Sequence, residues 1–296
     1  MKPHFADTLL KSVEQVGSPV CVGIDPRLDR VPAQIRSSCK DPLDALRTFC
    51  MGLLDAVVGI VPAVKPQIAY FEVYRHEGIQ LYFDVVARAR QVGLVVIGDA
   101  KRGDIGSTAE AYAAGHLSGE SDVDALTVNG YFGADGLQPF VSQARQTGRG
   151  LFVLVRTSNP SAQTIQDFQD ASGKTFYTHI AQQVADLGSQ PELVGSRGYS
   201  CVGAVVGATW PKEARQLREV MDRQIFLVPG YGAQGATAED CAASFKDDGT
   251  GAIVNASRSV IYAHQRKEFA DLDWKQAVAR AAEQFAQDIA RAVLPD

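Results

Sequence analysis

The sequence predicts an α/β protein built as a single (β/α)8, or TIM, barrel over residues 1–296, with an added N-terminal helix, an insertion after the fifth strand and a C-terminal helix. Short apolar runs alternate with longer amphipathic stretches, and that alternation implies a parallel sheet. About eight such units follow one another, the number that closes a barrel. Polar residues gather after nearly every apolar run, at the end where barrels of this kind form their sites. With 46% hydrophobic and 21% charged residues, the composition is that of an ordinary globular chain. No internal repeat, low-complexity tract or sharp boundary divides it, so one domain is expected.

The elements follow in order. Phe5 to Val16 has helical spacing and is expected to cover the barrel bottom. The run 20–24 is the first strand, followed by Asp25-Pro26-Arg27. Asp41-Pro42 places a capping residue before a proline at the first helical position, opening a helix from Pro42 to Val58. The second strand, 61–68, carries Lys65 inside an apolar run, and helical spacing returns from Phe71 to Gln91. The third strand, 94–99, leads into Asp99-Ala100-Lys101-Arg102-Gly103-Asp104-Ile105-Gly106-Ser107-Thr108. Ser107 with Glu110 reads as a capping box for the next helix. The fourth strand, 124–129, ends in Asn129-Gly130-Tyr131 and precedes a helix from Ala134 to Gln146. The fifth, 151–155, leads to Arg156-Thr157-Ser158-Asn159-Pro160. Residues 157–200 exceed what a strand-to-helix connection needs, so a loop and a helix from Tyr177 to Leu187 are expected as an insertion. Strands at 201–206, 225–228 and 252–255 complete the barrel, with a helix from Lys212 to Asp222 and a long amphipathic one from Trp274 to Val293.

Chemistry collects after the strands. Asp99 and Lys101 lie two residues apart on a strand and so share a face. Alternating charges at the mouth of an apolar core cost desolvation energy unless they pair. Such a network can be purely structural, but Lys65 also needs an anionic partner, for which Asp99 or Asp104 is the natural choice. Lys65, Asp99, Lys101 and Asp104 would then line a pocket as one charged chain. The loops after the last two strands suit a phosphate. Gly230, Gly232 and Gly235 allow backbone amides to approach an anion, and Ser257-Arg258 adds amides and a guanidinium. Glycines of this kind also serve simply as tight turns; the coincidence of both loops favours the phosphate.

Other classes fit less well. A net charge of −5 disfavours a nucleic-acid partner. No run is long enough to span a membrane, and the start lacks a signal-peptide pattern, so the cytoplasm is the expected compartment. The five cysteines, Cys21, Cys39, Cys50, Cys201 and Cys241, form no C-x-x-C pair, which disfavours zinc or a disulfide framework; Cys21, Cys50 and Cys201 read as buried thiols. A metal between Asp99 and Asp104 would compete with the Lys101 ammonium, and the five histidines lie away from the strand ends. No zinc-protease, nucleophile-elbow or dinucleotide fingerprint occurs.

The string Asp99 to Thr108 resembles the signature of the orotidine 5'-phosphate decarboxylases. Val22-Gly23-Ile24-Asp25-Pro26-Arg27, Lys65-Pro66-Gln67, Arg156 to Pro160, Pro229 to Gly235 and Ser257-Arg258-Ser259 match further segments in the same order. The spacing resembles the longer bacterial (type 2) branch. The resemblance implies conversion of orotidine 5'-monophosphate to UMP and carbon dioxide, the final step of de novo UMP synthesis, without metal or cofactor. It implies Lys101 as proton donor to C6 of the pyrimidine and Asp99 beside the departing carboxylate. Lys65 and Asp104 complete the charged chain. It further implies a homodimer in which Asp104 and Thr108 enter the neighbouring subunit's site. Asp25 is expected on a ribose hydroxyl and Ser158 on the pyrimidine. Gln234 and Arg258, with Gly235 and Ser257, are expected on the phosphate. Two other readings remain to be tested: a metal-assisted sugar-phosphate lyase or synthase, and a nucleotide-binding module without catalysis. The first needs further acidic ligands that the third strand lacks. The second would show a degraded charged chain, whereas Lys65, Asp99, Lys101 and Asp104 are all present.

Overall fold

In the computed structural model, which describes residues 3–119, 122–232 and 235–293, eight parallel strands close into a barrel in sequence order. They are β1 (Val20–Ile24), β2 (Ala63–Pro66), β3 (Val95–Arg102), β4 (Ala125–Asn129), β5 (Gly150–Arg156), β6 (Val202–Val206), β7 (Phe226–Pro229) and β8 (Ala252–Ala256). Nearly every strand residue is buried, because barrel strands are covered inside by side chains and outside by helices. β8 pairs back onto β1, with Cys21 opposite Asn255, which closes the barrel without an edge.

The N-terminal helix Phe5–Val16 closes the bottom. Phe5 meets Phe152 edge to face at 5.8 Å and occupies the space that a side chain at Gly150 would need. The C-terminal helix Trp274–Val293 packs on the helix Pro42–Val57, where Gly52 leaves room for the Trp274 indole. Asp41 caps that helix by accepting from the Asp44 N–H, as its place before Pro42 predicts.

Three expectations need correction. The stretch 71–91 is two helices, Ala69–Glu72 and Arg75–Gln91, separated by a turn in which Arg75 adopts a φ of +56°. Ser107 and Glu110 form no capping box: Gly106, at a φ of +52°, starts the helix Gly106–Leu117 and draws Ser107 into its first turn. A capping box does form between Thr237 and Asp240. The helix expected inside the insertion, Phe176–Gly188, is the barrel's own fifth outer helix, packed on β5 and β6. The inserted chain is therefore the segment between β5 and that helix, with its short helix Ala162–Gln166, together with the stretch that follows to β6.

Candidate active site

The mouth of the barrel is built around Asp99, near the end of β3. Its carboxylate is buried at 7% exposure, and both oxygens are engaged. Lys65, itself 5% exposed, donates through Nζ to Oδ2 at 2.6 Å. Lys101 Nζ donates to Oδ1, which also accepts from the Thr127 hydroxyl at 3.1 Å. The same Thr127 oxygen accepts the backbone N–H groups of Ala100 and Lys101, at 3.0 and 2.9 Å. Those amides are free because the register between β3 and β4 slips after Gly98. Lys101 sits at that slip with a φ of +48°, a left-handed conformation uncommon for a lysine. The turn brings its ammonium back onto Asp99.

Electrostatics follow from burial and pairing. Burial by itself would raise the Asp99 carboxyl, but the ammonium groups of Lys65 and Lys101 outweigh it and hold it well below the usual range. Burial would likewise lower Lys65, yet Asp99 and then Asp25 keep it above the ordinary lysine value. Lys65 and Asp99 are therefore a charged pair at neutral pH.

Two adjoining clefts open here. One, of about 390 Å3, is lined by Lys65, Asp99, Lys101, Thr127 and Ser158, with Leu154, Val205, Leu227 and Pro229 giving an apolar wall. The other, of about 160 Å3, is lined by Asp25, Lys65, Gly230, Asn255, Ser257 and Arg258. Lys65 and Pro229 belong to both, so the clefts form one continuous groove. At one end lie an ion-paired ammonium and an apolar slot. At the other lie a guanidinium, a hydroxyl and a glycine-containing loop.

The structure thus brings together Lys65, Asp99, Lys101, Ser158, Asp25, Ser257 and Arg258. It does not bring Asp104 or Thr108 to them. Asp104 accepts from the Ile105 N–H at 2.8 Å, and Thr108 lies on an exposed turn of the helix Gly106–Leu117. The charged chain within one subunit is therefore Lys–Asp–Lys, and the resemblance expects its fourth member, Asp104, from a neighbouring subunit. Gly235 donates its N–H to the Gly232 carbonyl at 3.0 Å and closes the loop after β7, but neither cleft is lined by it. Gln234 lies outside the described residues.

Sequence reasoning gave no role to Thr127 or Asn255, both buried and facing this groove. Each is a polar residue inside an apolar strand, the signal that singled out Lys65. Gly23 is needed for a separate reason: a side chain there would collide with the Ser257 hydroxyl. Among the described residues no cluster of three or more His, Cys, Asp or Glu side chains gathers.

Comparison with known proteins agrees in sequence and in fold. Residues 18–271 match the model of the "Orotidine 5'-phosphate decarboxylase / HUMPS family". The chain is 44% identical to an orotidine 5'-phosphate decarboxylase of Rhodopirellula baltica, covering 96% of this chain and 98% of that one. It is also 44% identical to one of Deinococcus radiodurans, over 89% and 91% of the two chains. Among solved structures, the OMP decarboxylase of Leishmania donovani superposes with a TM-score of 0.76 at 26% identity over the full length of both chains.

Proposed function

This chain belongs to the orotidine 5'-phosphate decarboxylase family, and from that premise we propose that its barrel mouth converts orotidine 5'-monophosphate to UMP and carbon dioxide, with Lys101 as the proton donor. The observation that carries the assignment is the ion-paired Lys101 ammonium beside an apolar slot that runs into a cationic cleft. A pyrimidine nucleotide fits that order: base in the slot, ribose at Lys65 and Asp25, phosphate at Arg258, Ser257 and the loop after β7.

The chemistry follows from the charges. When the C6–carboxylate bond breaks, carbon dioxide leaves and its electron pair stays on C6. No carbonyl of the ring is placed to delocalise that pair. The Lys101 ammonium, fixed by Asp99, stabilises the developing charge as a preorganised cation. The same Nζ then transfers a proton to C6, and the amine is reprotonated from solvent. In this reading Asp99 lies beside the departing carboxylate, and Lys65 neutralises part of the Asp99 charge. Grip on the remote phosphate can be used to lower the barrier at C6. In this reading the Lys101 ammonium supplies the positive charge the reaction needs, without metal or cofactor.

The active unit in this reading is a homodimer. Ile105 and Tyr131 are 58% and 68% exposed, and Tyr112 and Phe132 are exposed beside them. Asp104 and Thr108 lie beside Ile105 and outside their own groove, which supports a role in a neighbour's. The whole chain, 1–296, acts as one domain. Among the described residues no helix is long and apolar enough to cross a membrane, and all five cysteines are free thiols. Free thiols suit a reducing compartment, so we place the enzyme in the cytoplasm.

The test is turnover of orotidine 5'-monophosphate, followed by ultraviolet absorbance with a strong chelator present. Substrate loss with UMP formed is the expected result, and Lys101→Ala should abolish turnover while UMP still binds. Folded protein that binds UMP but leaves the substrate intact would overturn the assignment. Turnover that stops with chelator would favour a metal-assisted barrel enzyme instead.

A further inference from the structure

The segment inserted between β5 and the helix Phe176–Gly188 forms no part of the barrel wall, yet it makes a concentrated set of contacts to one residue of the mouth. That residue is Thr157, the neighbour of Ser158. Past the end of β5, Thr157 cannot rely on strand pairing. Its N–H instead donates to Gln166 Oε1 at 3.1 Å, and its hydroxyl accepts from Gln166 Nε2 at 2.7 Å. Its carbonyl accepts from the Trp210 indole N–H at 2.9 Å, and its hydroxyl donates to Asn159 Oδ1 at 2.7 Å. Gln166 is the last residue of the inserted helix Ala162–Gln166.

The next residue, Asp167, reaches Arg156 on the other side of Thr157. The Arg156 guanidinium is fully buried, between the rings of Trp210 at 4.2 Å and Tyr177 at 4.8 Å. Its Nη1 lies 2.6 Å from Asp167 Oδ1. A buried cation needs such a partner, so the strand end and the insertion are tied together. Behind Ser158 stands Gly207, where an added Cβ would lie 3.0 Å from the Ser158 Cβ. The serine is therefore pressed against bare backbone on one side and held through Thr157 on the other.

We propose that Gln166 and Asp167 are positioning residues: the insertion exists at this point of the chain to fix Ser158 against the pyrimidine. The proposal rests on the decarboxylase reading above. It assigns a task to a segment whose sequence shows none, and it locates that task in two named side chains.

A double-mutant cycle on kcat/KM for orotidine 5'-monophosphate tests it, using wild type, Ser158→Ala, Gln166→Ala and the double variant, with Tm measured for each. Gln166→Ala should lower kcat/KM about tenfold, near the upper worth of a lost hydrogen bond, with the loss falling mainly on KM. The double variant should be no worse than Ser158→Ala alone, because both changes remove the same contact. Additive losses, an unaffected Ser158→Ala enzyme, or a Gln166→Ala enzyme that loses only Tm would overturn the proposal. If Gln166→Ala does not fold, Gln166→Glu carries the same cycle, since it keeps the acceptor for the Thr157 N–H and removes the donor. Inactive wild-type protein would instead overturn the decarboxylase reading, a result distinct from an additive cycle in an active enzyme.

Discussion

A carboxylate at the end of an apolar strand is costly when buried, and Asp99 is tolerated there because two ammonium groups and the Thr127 hydroxyl share its oxygens. Removing the charge takes away the only carboxylate ion-paired with buried Lys65 among the described residues and leaves the more distant Asp25 alone to offset its charge. Asp99→Asn should therefore cost about 3–5 kcal/mol of stability at neutral pH. Adding Lys65→Met to that variant should recover part of the loss, since the uncompensated charge disappears. The pH dependence has a defined sign. The Asp99 carboxyl is lowered in the folded state, so its contribution is present above the unfolded carboxyl value, about 4, and is lost as pH falls through the folded one. Lys65 is raised, so its contribution is present below the unfolded lysine value, about 10, and is lost only as pH rises through the folded one. Thermal melts should thus show the gap between wild type and Asp99→Asn constant from about pH 5 to 9 and narrowing in acid. A gap that widens in acid would contradict the pairing.

The short helix Arg258–Ile261 and the turn after β1 are joined by one side chain, Tyr262. Its hydroxyl accepts the Arg27 N–H at 2.7 Å and donates to the Asp25 carbonyl at 2.8 Å. Phe49 stacks on one side of the ring at 6.0 Å, and the Arg30 guanidinium lies 3.9 Å from its centre. The Arg258 side and the Asp25 side of the groove therefore share a support. Tyr262→Phe keeps the packing and removes both hydrogen bonds. It should cost about 1–3 kcal/mol, because an amide and a carbonyl are left unpaired, and should raise KM for the nucleotide. A variant that melts earlier with KM unchanged would mean that the tyrosine braces the fold without orienting Asp25. Much of this architecture is legible in the sequence. Apolar runs such as Leu94-Val95-Val96-Ile97 marked the strands, and a lysine inside such a run marked the site. Other features depend on what only tertiary structure supplies. The Ser107 capping pattern lost to the left-handed turn at Gly106, which begins the helix two residues early. The helix Phe176–Gly188 looked inserted because its hydrophobic face says nothing of which strands it covers. The Tyr262 clamp joins residues more than 230 positions apart, and no local pattern announces it.

As a whole, the molecule presents a groove that is nearly complete and an apolar surface that is not covered. Helices of a globular protein usually carry a polar outer face. The helix Gly106–Leu117 instead turns Ala111, Tyr112, Ala114 and Gly115 outward, next to Ile105, Tyr131 and Phe132. Asp104 and Thr108 lie on this side and not in their own groove. A two-fold dimer through that face would cover it on both copies at once. It would also carry each Asp104 toward the other subunit's Lys101. The consequence is open to a mixing experiment. Lys101→Ala and Asp104→Ala should each be nearly inactive as pure homodimers. Mixed in equal amounts and allowed to exchange, half of the dimers become hybrids. Each hybrid holds one intact groove, with Lys101 from one chain and Asp104 from the other, and one groove lacking both. Activity should therefore return to roughly one quarter of the wild-type level, and it should fall when the mixture is diluted until dimers dissociate. Complete exchange, verified by two differently tagged chains, with no recovery would place Asp104 outside the shared site and leave the Lys65–Asp99–Lys101 triad of one subunit to act alone.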